Sequence, residues 1–410
     1  MKPDDMMLPK YRILRVAFLI FLIPSFASAG YVWDINMPLP QDDPRWLTVA
    51  EMWQNHWDGK NIDAMIDICH QLDKTFPERI EPSLWLGRLY YIKGQFQMKK
   101  RAMYHKKAEG YAVKAHNIDN TNFCAFFILV HALSSRTDKK AILQEYGDWI
   151  KAMAPLPTGE DLPAMPPSTE RDQAMTLWKN RIEIANLEKA VKLFETIADK
   201  NPKDDLAQLW AGYAYHHLGA YYSYMDHHDE KGVPCYKTSV DYLNKSLDIN
   251  PYSVPAHYWC QLSMARRIEK ANVVTQALYL KPIMDHLLFC IQENALYNSC
   301  APVYIVAAMI VEAGWVCKKG MEMAGYTVEM VMLALEIGEI LYPDQYFIPY
   351  IHAALLDKYQ KKPGEAKAVL ERVLKKGLPE GNDPNHIEKT INYGRARRFH
   401  DRLVSDEGKG

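Results

Sequence analysis

The chain has 410 residues, 48% of them hydrophobic and 24% charged, close to the average for a globular protein. That composition excludes an intrinsically disordered chain, a collagen-like one and a polytopic membrane protein. The 49 Lys and Arg against 50 Asp and Glu leave a net charge of −1, without the basic excess or stripe of a dedicated nucleic-acid binder.

Residues 1–29 have the pattern of a secretory signal peptide. Lys10, Arg12 and Arg15 form a basic start, Val16 to Phe26 is the apolar stretch, and Ala27-Ser28-Ala29 supplies the small-residue cleavage motif. The expected mature start is Gly30 and the expected compartment is the periplasm. The apolar run of 11 residues contains Pro24, whereas a membrane-spanning helix needs about 20. No Cys lies near the cleavage point to carry a lipid. Export permits disulfides, yet Cys69, Cys124, Cys235, Cys260, Cys290, Cys300 and Cys317 are dispersed, odd in number and without a Cys-x-x-Cys. They read as small buried hydrophobes, with Cys290 and Cys300 as the one pair left open.

From Trp46 onward apolar residues recur at three- and four-residue spacing, and several helices are expected to stop at a proline, as at Phe76-Pro77, Asn201-Pro202 and Asn250-Pro251. No run of alternating β-branched residues occurs, so the fold class is all-α. A tetratricopeptide repeat spans roughly 34 residues and reads W-x2-L-G-x2-Y, A-x3-F, P. Ala190-x3-Phe194 is followed by Pro202, Gly212, Tyr215 and Gly219, and the same frame appears earlier as Pro77, Gly87, Tyr90 and Gly94. The expected architecture is a tetratricopeptide-like solenoid of α-α hairpins in two tandem units.

The first unit, 30–153, duplicates the start of the second. Trp53, Pro77, Leu84-Trp85, Gly87, Tyr90 and Gly94 recur as Trp178, Pro202, Leu209-Trp210, Gly212, Tyr215 and Gly219, every pair offset by 125. Further on, Ile118, Ala125 and Phe127 match Ile249, Ala256 and Tyr258, a shift of six more. Between the units, 154–168 carries Pro155, Pro157, Pro163, Pro166 and Pro167 and is an extended linker by composition.

The second unit covers 169–404. Its segment 220–236 (AYYSYMDHHDEKGVPCY) is expected to be an inserted loop that interrupts the second helix of a hairpin. Asp226-His227-His228-Asp229 offers metal-ligand types, but adjacent histidines diverge and no His-x3-His pair stands nearby, so a solvated loop is favoured over a metal site. Helices are expected over 273–294, 299–317, 326–341, 345–359 and 363–375, then a basic one with Arg395, Arg397, Arg398 and Arg402 and a disordered tail over 405–410.

Residues 170–379 resemble the periplasmic T component of tetratricopeptide-associated TRAP (tripartite ATP-independent periplasmic) transporters. The resemblance lies in AQLWAGYAYHHLG, LDINPYSVPAHYWCQLSMAR, the long helix reaching PIMDHLLFCIQENALYNSCAPVYIVAAM, and EAKAVLERVLKKGLP. It implies a bundle of repeat hairpins enclosing an apolar channel and a transporter solute-binding subunit as partner. The chain departs from that family in lacking a lipobox Cys and in carrying the N-terminal duplicate.

In such repeats the first helix of each pair lines the concave face. Counting from Gly212 gives Leu209, Tyr213 and His216, with His217 beside them, on one helical face. The next hairpin adds Tyr258 and Arg266, the last Tyr350 and Asp357, and the duplicate Leu84, Arg88 and Tyr91. Tyr221, Tyr222 and Tyr224 join them if the 220–236 segment folds into a channel mouth. Such an aromatic surface with a few polar groups suits a partly apolar ligand, a lipid or a partner helix; ordinary interhelix packing is the competing reading for each residue. No Gly-x-Ser-x-Gly, Walker loop, His-Glu-x-x-His or dinucleotide fingerprint occurs, so no enzyme, catalytic residue, cofactor or metal is expected. The expectation is an exported accessory protein. Its alternatives are a protein-interaction scaffold without a small-molecule site and a metal-dependent enzyme built on 226–229.

Overall fold

The computed structural model describes residues 37–53, 59–156, 162–226, 228–313, 318–319, 322, 326–378 and 386–407. The expected signal peptide lies outside them. Helices follow one another without any strand among the described residues: α1 Pro44–Trp53, α2 Gly59–Thr75, α3 Ile80–Phe96, α4 Arg101–Ile118, α5 Phe123–Leu133 and α6 Lys139–Ala152 come first. After the Pro-rich segment come α7 Thr169–Lys179, α8 Ile184–Lys200, α9 Asp205–Ala220, α10 Asp229–Ile249, α11 Val254–Ile268 and α12 Val273–Asn294. The series closes with α13 Tyr297–Ala313, α14 Val328–Leu341, α15 Phe347–Leu355, α16 Pro363–Lys376 and α17 His386–Glu407. None of the described helices is long and apolar enough to cross a membrane.

Local chemistry sets the helix ends. At the start of α9 the Asp204 carboxylate accepts from the amides of Leu206 and Ala207 at 3.0 and 3.1 Å, replacing partners that the first turn lacks. Asn122 and Ser253 cap α5 and α11 in the same way, each accepting from the amide three residues on. These two caps are 131 positions apart, the later of the two sequence offsets.

The helices pair into antiparallel hairpins, and the repeat glycines show why they pair so closely. A Cβ on Gly94 would stand 2.6 Å from the His105 ring, and one on Gly219 2.9 Å from the Tyr236 ring. Only a bare backbone permits α3 to approach α4, and α9 to approach α10, at these points.

The duplication extends to individual contacts. Trp85 Nε1 donates to the Pro38 carbonyl at 3.0 Å, and Trp210 Nε1 donates to the Pro163 carbonyl at 2.9 Å. Trp53 meets Trp85 edge-on, as Trp178 meets Trp210, both at 87°. Tyr90 stacks on Tyr111 at 5.7 Å, and Tyr215 on Tyr242 at 6.0 Å. Thus α1–α5 and α7–α11 repeat one five-helix pattern.

The loop expected over 220–236 is absent. Tyr221–Met225 continues α9 as a π-helical turn, with Asp226 N bonded to the Tyr221 carbonyl at 3.3 Å, and α10 begins at Asp229 with Pro234 inside it. The added residues widen one turn and lengthen a helix, which keeps their backbone groups paired. At the far end α17 runs to Glu407, into the segment expected as a tail.

By internal contacts the chain forms two compact units. One is 160–297, which holds α7–α12. The other joins 37–159 to 298–410. Residues 298–404, which the sequence pattern assigns to the C-terminal unit, therefore pack with the N-terminal helices: the Leu156 amide donates to the Leu341 carbonyl at 2.8 Å, and Lys139 on α6 pairs with Glu336 on α14 at 2.5 Å. In the first unit the main core gathers Trp178, Leu187, Phe194, Trp210 and Tyr213 with small residues such as Ala190 and Ala211.

Candidate binding site

Within 160–297, α9 and α11 bring an aromatic cluster together. Tyr213 and His217, one turn apart on α9, lie 4.5 Å from each other. Trp259 of α11 lies 4.6 Å from Tyr213, 5.0 Å from His216 and 5.5 Å from His217. Trp178 of α7 closes the other side, 5.2 Å from Tyr213 and 5.3 Å from His217. Tyr258 packs on Trp259 and on Tyr297, whose hydroxyl accepts from Trp259 Nε1 at 3.2 Å.

The tautomer of His216 follows from hydroxyl bookkeeping. Ser239 Oγ donates to the Gly212 carbonyl at 2.7 Å, which uses its single hydrogen. Its 2.8 Å contact with Ser263 Oγ must then be donated by Ser263. Ser263 has no second hydrogen, so its 2.8 Å contact with His216 Nδ1 is donated by the imidazole. The relay runs His216 to Ser263 to Ser239 to Gly212 and leaves His216 Nε2 with the lone pair. Burial, reinforced by the Arg266 charge, pushes His216 down to about 3, so the ring is neutral at ordinary pH. His217 is also driven well below its ordinary value, first by burial and then by Arg181 and His216. Its Nε2 is buried and has no hydrogen-bond partner.

The structure brings some of the sequence candidates together and separates others. Tyr213, His216 and Tyr258 belong to the cluster, and the half-buried Arg266 acts on His216 while pairing with Glu269 at 3.2 Å. Leu209 lies in a core with Val240, Leu243, Ala256 and Cys260, against which Trp259 also packs. Tyr221 and Tyr222 pack at the margin of the α7–α9 core; the Tyr222 hydroxyl bonds Glu188 on α8, and Lys231 lies 5.4 Å above its ring. The Tyr224 side chain lies outside the described residues. In the other unit, Tyr350 meets Phe347 and Phe399, and Asp357 pairs with Arg402 at 3.2 Å.

The duplicate positions hold a different chemistry. Leu84, Arg88 and Tyr91 are all buried, with the Arg88 guanidinium 5.6 Å from the Tyr91 ring. Tyr91 stands 4.9 Å from His105 and 5.3 Å from His131, both pushed down to about 3 chiefly by burial.

Two of the four metal-ligand types at 226–229 are engaged elsewhere. Asp229 pairs with Lys270, His228 with Glu230 at 2.8 Å, and His227 lies outside the described residues. No group of three or more His, Cys, Asp or Glu side chains converges among the described residues. Cys290 and Cys300 are not joined to each other, and the Cys290 thiol donates to the Val254 carbonyl at 3.7 Å.

Counting from the glycine misses Trp178, Trp259, Ser239 and Ser263. Trp178 lies on a helix outside the counted pair, and Ser239 lies on α10, the second helix of its hairpin. Trp259 stands beside Tyr258 in the counted segment, and the 125 offset singles out Trp178.

No protein-family model matches the chain, and no curated protein matches it. Among solved structures, a monomeric IFIT1 mutant with m7Gppp-AAAA is similar at 11% identity, covering 87% of this chain and 72% of its own, with a TM-score of 0.32. The Cut9-Hcn1 hetero-tetramer of the APC/C is similar at 13% identity over 87% of this chain and 63% of that one, TM-score 0.26. Yeast Tom70 is similar at 12% identity over 90% and 93%, TM-score 0.18. The chain itself is an all-α stack of tetratricopeptide-like helical hairpins, as the glycine contacts and the repeated tryptophan anchors establish.

Proposed function

We propose that this is an exported, non-enzymatic binding protein that holds a partly apolar ligand on its α9–α11 aromatic cluster and docks a solute-binding subunit of a TRAP-type transporter in the periplasm. One observation supports the ligand site best. His217 offers an unpartnered ring nitrogen inside a box of Trp178, Tyr213 and Trp259. Aromatic walls beside an unpartnered ring nitrogen suit a largely apolar molecule carrying a polar group. Export rests on the pattern of residues 1–29, and the transporter partner on the resemblance over 170–379.

Native mass spectrometry of the secreted protein, followed by solvent extraction, tests this reading. A stoichiometric organic acid or lipid is expected, and His217→Gln and Trp259→Ala should each weaken its retention by about tenfold, the loss of one buried polar or aromatic contact. An apo mass together with failure to co-purify with a solute-binding subunit would overturn the proposal.

A further inference from the structure

Residues 82–108 contain seven Lys and Arg and no Asp or Glu, in a chain whose net charge is −1. At the centre of that stretch, Met98–Lys100 forms the tight turn that joins α3 to α4. Every residue from Phe96 to Lys100 is exposed, and so are Ala102 and Met103 on the first turn of α4. Phe96, Met98 and Met103 are 48%, 42% and 47% exposed, an unusual grouping of large apolar side chains in water.

The flanking lysines are engaged within the fold. Lys93 pairs with Asp63, Lys106 with Glu109 at 2.9 Å, and the Lys107 ammonium lies 4.8 Å above the Tyr90 ring. Lys99 and Lys100 are in no ion pair among the described residues. The turn that carries them is held from inside. The buried Arg101 donates through Nη2 to Gln95 Oε1 at 3.0 Å and to Met98 Sδ at 2.8 Å, and the Lys100 amide donates to the Gln97 carbonyl at 2.7 Å. Side chains presented on a fixed turn have less conformational freedom to lose on binding. The corresponding turn of the other copy has the opposite charge, with Asp226, Asp229 and Glu230 against Lys231. Pairing of the two helices therefore does not demand the basic, apolar character of 96–103.

We propose that the α3–α4 tip docks on a membrane surface rich in anionic phospholipid, with Phe96, Met98 and Met103 entering the headgroup region and Lys99 and Lys100 pairing with lipid phosphates. Apolar side chains set beside available cations match a surface that is negative at its headgroups and apolar beneath them. A stable protein interface takes about 20–30 residues a side, whereas 96–103 exposes seven. A nucleic acid would use the lysines and leave the methionines in water. This docking is separate from the α9–α11 cluster and does not depend on it.

Co-sedimentation of the full chain with vesicles of equimolar phosphatidylglycerol and phosphatidylcholine, against phosphatidylcholine alone, tests the proposal. Binding to the mixed vesicles should be about tenfold stronger or more, and should weaken with added salt. Lys99→Gln with Lys100→Gln should weaken it about thirtyfold, the worth of two lysines at an anionic surface. Met98→Gln with Met103→Gln should weaken it about tenfold through lost insertion of apolar surface. Lys179→Gln with Lys189→Gln, which removes the same charge from exposed positions on α7 and α8, should change it by no more than about twofold. Circular dichroism of each variant separates lost binding from lost fold. Equal binding to phosphatidylcholine alone, or a loss as large from the control pair, would overturn the inference. So would binding unchanged by the tip variants, as attachment through residues 1–29 would give. Weakening by the lysine pair without weakening by the methionine pair would overturn it as well, and would point to a soluble acidic partner instead.

Discussion

A Cβ placed on Gly212 would stand 2.5 Å from Leu243 Cγ and 3.1 Å from the Ser239 carbonyl oxygen. Two effects oppose each other when that glycine becomes alanine. Helix propensity gains about 1 kcal/mol, while overpacking against a side chain and a carbonyl costs roughly 1–3 kcal/mol. The carbonyl cannot rotate away, so Gly212→Ala should lower the thermal midpoint. Gly110, exposed on α4, leaves open space within 4 Å of the point where a Cβ would stand, and Gly110→Ala should raise the midpoint through propensity alone. Thermal denaturation of the two variants side by side checks the opposite signs.

Trp85 and Trp210 should behave alike under substitution. Each buried indole donates one bond to a proline carbonyl in the extended segment ahead of its helices. Trp85→Phe and Trp210→Phe should each cost about 1 kcal/mol for that bond, plus a packing loss from the smaller ring. Urea unfolding of both variants provides the comparison, and a large cost in one with none in the other would break the equivalence of the copies.

The buried Glu109 depends on its partners. Only 2% exposed, it accepts from Tyr146 Oη at 2.6 Å and from Lys106 and Arg136 at 2.9 Å each. Arg136→Ala should cost on the order of 3 kcal/mol by leaving the carboxylate short of positive charge. Adding Glu109→Gln should recover part of that loss, because a neutral amide needs less compensation. A double-mutant cycle by chemical denaturation measures the coupling.

Acid should destabilise the fold through His105, His131 and His216. All three are buried and pushed down from an ordinary value of 6.5 to about 3, first by burial. The unfolded chain takes up protons below pH 6.5 while the folded rings do not, so stability is complete above that pH and is lost as pH falls toward 3. Each ring contributes a slope of up to about 1.4 kcal/mol per pH unit in that window. Urea midpoints at pH 7.5, 6 and 5 should fall in order, and His131→Gln should flatten the decline.

The hairpins are legible in the sequence because their constraints are local or carried by rare residues. Gly87, Gly94, Gly212 and Gly219 mark close approaches, prolines mark stops, and paired tryptophans reveal the offset. Segment 220–236 reads as a loop because its tyrosines, histidines and Pro234 suggest a break, whereas a π turn keeps the backbone bonded. Half of the aromatic cluster can be counted along α9, but Trp178 and Ser239 arrive from helices that only packing brings near. The Lys139–Glu336 pair is beyond sequence reasoning, since the two residues are 197 positions apart.

The two copies differ in length at one place. Gly94 and His105 are separated by 11 positions, and their counterparts Gly219 and Tyr236 by 17, while the contacts on either side keep their partners. The six extra residues therefore fall between these two contacts, where the chain turns from α9 into α10 and where Gly232 packs against Ser223 and the Gly219 carbonyl. One copy thus carries six residues more at this turn while the contacts on either side persist, which makes the shorter α3–α4 turn the place where a tag, a fluorophore or a foreign peptide can be spliced in while the rest of the protein keeps its shape.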